Sequence, residues 1–139
     1  MLADMTEPRF NSFEEFWPFY VREHANKTNR RLHFVGSSLA GALLAYGLVG
    51  RKLWPIAAAP VVGYGFAWVG HFFVEGNRPA TFKHPLYSFV GDWKMWSKIA
   101  AGSMDAEVER VLRDDAAARS NAKTANNGSA VHSAEQPGG

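Results

Sequence analysis

The sequence predicts an all-α membrane protein: a transmembrane helical hairpin accompanied by amphipathic helices that lie at the interface. Three observations carry this. Two long runs nearly free of charge are separated by a single basic pair, aromatic residues recur at helical spacing on either side of them, and aromatics crowd the edges of the apolar segments more than their middles. The chain has 139 residues, ten Phe, five Trp and four Tyr. Residues 1–115 read as one helical membrane domain and 116–139 as a flexible C-terminal tail, because Ser120 to Gly139 is too poor in apolar residues to extend a core.

Residues 1–9 read as a frayed terminus. "NSFEEFWPFYVREH" then places Phe13, Phe16, Trp17, Tyr20 and His24 on one face of a helix, with Ser12 and Glu15 as a capping box and Pro18 as a kink or a late start. Nine residues separate His24 from His33, which on one continuous helix would set them on opposite faces. A break within Ala25 to Thr28 brings them together, and the polar residues of "HANKT" suit one.

Phe34 to Gly50 carries no charge over 17 residues, the lower limit for crossing a bilayer core. Arg51 and Lys52 interrupt it, and Leu53 to Val74 follows with His71 as its one ionisable side chain apart from tyrosine. The glycines and alanines of both runs suit close helix contact in lipid. The competing reading is a helical pair buried in a soluble protein. Arg22, Lys27, Arg30 and Arg31 precede the first span and Arg78, Lys83, Lys94 and Lys98 follow the second, so both termini are expected on the cytoplasmic side, of the endoplasmic reticulum in a eukaryote or the cytoplasmic membrane in a bacterium. No signal peptide is expected, for the N-terminus lacks a basic region followed by an early apolar stretch.

Beyond the hairpin, "EGNRPATFKHP" reads as a loop. Leu86 to Ala101 reads as an interfacial helix carrying Phe89, Trp93 and Trp96, with Lys94 and Lys98 reaching outward. "DAEVERVLRDDAAAR" makes a short last helix, and His132 in the tail is excluded from any site.

The absence of cysteine excludes disulfides, thiolate zinc sites and cysteine nucleophiles. A net charge of +2, with bases scattered among acids, gives no footprint for nucleic acid. No nucleophile elbow or phosphate-binding glycine loop is present. What remains is histidine. His24, His33, His71 and His84 all fall near apolar boundaries on the same side of the hairpin, because two spans return the chain to the side it left. They point to a metal site, although ordinary hydrogen-bonded histidines are the bland alternative, and imidazole suits zinc, copper, nickel or iron alike. The order His, Asn-Arg, His occurs twice, as His24, Asn29, Arg30, His33 and as His71, Asn77, Arg78, His84, which suggests two similar edges. Glu75, four residues after His71, is a candidate ligand or a carboxylate that fixes an imidazole's tautomer, with a plain helix-end carboxylate near Arg78 as the equal alternative, and Asp92 has the same ambiguity. Arg30 and Arg78 are candidates for a substrate carboxylate, with Asn29 and Asn77 grouped beside them, although snorkelling to headgroups would also explain the arginines.

Two stretches, "FWPFYVREHANKTNRRLHFVG" and "GHFFVEGNRPATFKHPLYSFVGDWKMW", resemble the small membrane proteins, long catalogued as a domain of unknown function, that are typified by an iron(II)-dependent 2-hydroxy fatty acid dioxygenase of α-oxidation. The resemblance runs from about Phe13 to Met104 and departs at Gly76, where a lysine is common. It implies removal of one carbon from a 2-hydroxy long-chain acid with O2 and Fe(II), without 2-oxoglutarate, and His24, His33, His71 and His84 as iron ligands. Four nitrogens leave two positions in an octahedron, too few for a chelating substrate and O2 together. Two rivals stand beside this reading: a non-catalytic membrane module with a structural metal, and a zinc-dependent lipid hydrolase with Glu75 as general base. The sequence is silent on oligomeric state.

Overall fold

The computed structural model describes residues 9–134, with side chains to residue 127. Residues 1–8 of the expected frayed terminus, residues 135–139 and the His132 side chain lie outside that description. The elements are α1 (Phe13–Glu23), α2 (Lys27–Gly50), α3 (Leu53–Val69) continuing into a π turn (Gly70–Glu75), a 3-10 turn (Ala80–Phe82), α4 (Pro85–Ala100) and α5 (Met104–Ala134). No strand occurs among the described residues.

Helix α1 starts where its cap says it should. Glu15 N–H donates to Ser12 Oγ at 3.2 Å, and the Glu15 carboxylate reaches back to Asn11 N–H at 3.1 Å, one residue earlier than in the usual reciprocal box. Pro18 does not break it. The bond proline forgoes would go to the carbonyl of Glu14, a solvent-exposed residue. The helix ends at His24, and Asn26 restarts the chain by accepting from Thr28 N–H at 2.8 Å. Arg30 holds this corner. Its Nη1 donates to the carbonyls of His24 (2.9 Å) and Ala25 (2.6 Å), and its Nη2 to Asp105 (2.7 Å) on α5. The guanidinium thus satisfies carbonyls that a helix end leaves without partners.

Helices α2 and α3 form the hairpin. Arg51 turns the chain in the left-handed region (φ 51°) and Lys52 N–H bonds Gly47 O at 2.8 Å, the six-to-one bond of a Schellman ending. Small residues let the two helices touch. A Cβ on Gly36 would stand 2.5 Å from Phe66 Cβ, and one on Gly47 would stand 2.6 Å from Ile56 Cγ1. Both helices are long and apolar enough to cross a membrane, yet only 17% and 22% of their apolar windows are buried within the protein. Val49, Leu53, Val61 and Phe73 are each more than 70% exposed. A helical pair in a soluble core would hide these side chains.

The rest of the chain packs in the opposite sense. Phe16, Trp17, Tyr20 and Val21 of α1 are buried against Met95 of α4 and Met104, Val108 and Val111 of α5, forming an aromatic core beside the open end of the hairpin. Each such side chain contributes about 1.5–3 kcal/mol on burial. On α4, Leu86, Phe89, Val90 and Trp93 recur at helical spacing and stay exposed, the apolar face expected of an interfacial helix. Two expectations for α4 need correction. Trp96 stacks on Phe34 (5.6 Å) and donates to Ser38 Oγ (2.9 Å), and Lys94 folds over the rings of Trp17 (4.2 Å) and Phe13 (5.1 Å) instead of reaching outward. Helix α5 was expected to stop near Arg119 and instead runs on to Ala134, so residues 116–134 of the expected tail continue the helix.

Candidate metal centre

Three histidines from three elements meet where α1 ends, α2 begins and α3 gives way to the π turn. His24 sits at the C-cap of α1, His33 in the second turn of α2 and His71 in the π turn. Their ring centroids are 4.5 Å (His24 to His33), 4.5 Å (His24 to His71) and 5.0 Å (His33 to His71) apart. One nitrogen of each lies within 4.8 Å of the others, and all three side chains are buried.

Each ring spends its Nδ1 on an outside partner. His24 Nδ1 faces the Tyr20 carbonyl (2.7 Å), His33 Nδ1 faces Asp92 Oδ1 (3.3 Å) and His71 Nδ1 faces Asn77 Oδ1 (2.7 Å). The nitrogen left over is Nε2. Those of His24 and His33 are buried with no hydrogen-bond partner, an expensive condition for a neutral imidazole unless something binds there. Fixing one imidazole nitrogen so that the other is free for a metal is the familiar second-layer device of metal sites. Burial, and then the neighbouring His33 and His71, push the His24 pKa well below its usual value, so its imidazole is held in the neutral form that binds metals.

The supporting layer is itself supported. Asp92 accepts a short hydrogen bond from Tyr20 OH, whose ring stacks on His24 at 4.0 Å. Burial, and then Asp92, raise the Tyr20 pKa well above its usual value and keep the phenol a donor. Asn77 is aimed by its own amide, which donates to the Glu23 carbonyl (3.0 Å) and carboxylate (2.8 Å). Gly91 gives the Tyr20 ring its room, since a Cβ there would meet the ring at 2.9 Å.

Not every residue singled out in the sequence arrives here. His84 stands apart at the N-cap of α4, packed edge-on to Phe10 (5.2 Å) and beside Phe16 (5.6 Å). Glu75 turns away from His71. Its carboxylate caps α2 by accepting from Asn26 N–H at 2.6 Å. Arg30 is 5% exposed and committed to the helix corner. Asn29 is buried against Gly70, where a Cβ would lie 1.9 Å from its Oδ1. Arg78 is exposed. Asn77, grouped with substrate, is the partner of His71. The two His, Asn-Arg, His edges therefore play unlike parts. The sequence reading missed Tyr20, although its four-residue spacing from His24 was a signal, and the π turn, for which there was none.

An apolar groove of about 260 Å³ opens from this centre between α2, α3 and α4, with His33 and Asp92 in its wall. A buried three-histidine centre at the head of an apolar groove is an arrangement that can hold a metal ion and present it to a lipid. Residues 10–104 match the family described as 2-hydroxy-palmitic acid dioxygenase Mpo1-like. The chain belongs to the Mpo1-like family. No curated protein and no solved structure matches it. The Mpo1-like match ends at Met104, the first residue of α5, so most of the last helix lies beyond it.

Proposed function

We propose that the protein is an iron(II)-dependent dioxygenase that shortens 2-hydroxy long-chain fatty acids by one carbon, with His24, His33 and His71 as the ligands. One observation carries this reading: three imidazoles whose Nδ1 atoms are engaged and whose Nε2 atoms are left to converge at the head of an apolar groove. The family description supplies the substrate class.

Three nitrogen ligands fit the chemistry better than four. They leave room in a six-coordinate shell for both substrate oxygens and for O2, a demand that a fourth histidine would block. Iron(II) would supply the redox chemistry that lets O2 react with the acid. The overall change balances without a further reductant: R–CH(OH)–COOH and O2 give R–COOH, CO2 and H2O. The protein's own part is to hold three neutral imidazoles, to fix their tautomers through Tyr20 O, Asp92 and Asn77, and to exclude water by burial. The exposed apolar belt of α2 and α3 supports a membrane-embedded protein, and the basic residues flanking that belt support cytoplasmic termini.

The hydrolase alternative needs Glu75 as a base near the metal, whereas Glu75 is bound to the start of α2. A purely structural metal calls for a closed site, and this one adjoins a groove. The test is metal content of anaerobically purified, detergent-solubilised protein, followed by O2 uptake with 2-hydroxypalmitate. Iron near one per chain with substrate-dependent uptake supports the proposal. Zinc, or no uptake after adding Fe(II), overturns it.

A further inference from the structure

The groove beside the histidines has a polar end and an apolar end, and its walls differ in kind along its length. At one end are His33, with its unpartnered buried Nε2, and Asp92. At the other are Leu44 and Ile56. Eleven residues of α2 separate His33 from Leu44, about 16 Å at 1.5 Å per residue. Between the two ends small side chains, Ala40 and Gly41 on α2 and Ala59 and Gly63 on α3, line the groove beside Pro60 and Tyr64, and Trp93 of α4 lies over Gly41. A Cβ placed on Gly41 would touch only the Trp93 ring, at 3.4 Å. Gly41 is thus not a helix-contact glycine like Gly36, whose Cβ would strike Phe66 at 2.5 Å. Its missing side chain leaves space in the groove.

We propose that this groove is the acyl-chain site of the acid, that Gly41 keeps it open midway, and that Leu44 and Ile56 mark the length beyond which a chain has to turn out into the bilayer. The proposal rests on the reading of the histidine centre as the place where the acid's polar end is held. The polarity of the groove favours that occupant over a bulk lipid chain: a phospholipid tail ends in a methyl group, which gives nothing to His33 Nε2 or Asp92. A 2-hydroxy acid places its oxygens at that end and its methylenes along the small-residue walls. Selection by length then comes from exclusion rather than from hydrophobic transfer, since the bilayer is as apolar as the groove.

The experiment is anaerobic binding to the iron-loaded full chain in detergent, read as displacement of a fluorescent polyene fatty acid by saturated 2-hydroxy acids of graded length. Wild type is compared with Gly41→Leu and with Leu44→Ala, and iron content is measured for each. Gly41→Leu should weaken long-chain acids by about tenfold or more while sparing short ones, as expected when a pocket excludes methylenes. Leu44→Ala should move the preference toward longer chains. Displacement independent of chain length, or the same length profile in all three proteins, would mean that the groove holds bulk lipid and would overturn the proposal. Length-selective binding without any O2 uptake would sink the dioxygenase reading and leave the groove assignment standing.

Discussion

The hairpin and the α1–α4–α5 bundle solve opposite problems with the same element. In the hairpin, small residues face inward and large apolar ones face out: Gly36 and Gly47 sit in the α2–α3 contact while Val49, Leu53 and Val61 are bare. In the bundle the order is reversed, with Phe16, Tyr20 and Met95 inside and charges such as Arg110 and Asp114 outside. One region leaves its large apolar side chains exposed on helices long and apolar enough to cross a membrane, and the other buries them beneath a charged surface. The histidine centre lies on the seam, with one imidazole from the bundle side (His24 of α1) and two from the hairpin (His33 and His71). A metal bound there would tie the two regions together, and a lipid chain could approach it without leaving the apolar side.

The most damaging way to break that seam is to remove a ligand. His71→Ala should reduce metal content and O2 uptake to background while the hairpin stays folded, because the closest α2–α3 approaches are those of Gly36 to Phe66 and Gly47 to Ile56. Metal analysis of the membrane-extracted variant checks this, and full iron occupancy would exclude His71 as a ligand. Asn77→Ala is gentler. It frees His71 Nδ1 without touching the ligand nitrogen, and loss of such a partner typically costs 10–100-fold in metal affinity. A metal titration in which Asn77→Ala matches wild type would show that the Glu23–Asn77–His71 chain is only structural.

The sharper contrast between the regions comes from volume changes. Gly36→Ala adds one methyl where Phe66 Cβ already stands 2.5 Å from the new atom, so the helices have to separate, at a cost of about 1–3 kcal/mol. The same change at Gly65, where an added Cβ meets nothing within 4 Å, should be neutral. Thermal unfolding in detergent distinguishes them, and equal melting temperatures would mean that the hairpin is not held by close approach.

The sequence showed these regions unequally. The hairpin was plain because absence of charge over a long run has few explanations, and the break after His24 was forced by a spacing that a helix cannot close. That the histidines share one side followed from chain return alone. Which of them meet did not. His84 depends on how residues 76–84 fold back, and that path is set by distant contacts, Asn77 with Glu23 and His84 with Phe10. Glu75 is drawn to the start of α2, where Asn26 N–H donates to it, a partner 49 residues away that local spacing does not reveal. Gly76 was read as the start of a loop and as a missing lysine charge. It takes φ 72° to end the π turn, a conformation that favours glycine. The length of α5 was missed because its exposed polar positions carry no apolar period.

The smallest effect tests the water-facing side by itself. Trp17 Nε1 donates to Glu107 Oε1 at 2.6 Å, joining α1 to α5, and its ring is separated from His24 by the Tyr20 ring that stacks on both. The hydrogen bond from Arg110, and then that from Trp17, hold the Glu107 carboxyl at about 2 instead of 4.5. The folded carboxyl is therefore the stronger acid. Its contribution to stability is whole above about pH 4.5, declines as the unfolded chain takes up a proton that the folded one refuses, and is gone below about pH 2. Trp17→Phe keeps the ring and removes the donor, so it should cost about 1 kcal/mol near neutral pH and less as the solution is acidified through that window. Melting temperatures of wild type and variant should converge toward low pH while iron content at neutral pH stays the same. A gap that is constant with pH would assign the loss to packing of the indole, and a fall in iron content would mean that the α1–α5 contact supports the centre through the Trp17–Tyr20–His24 stack.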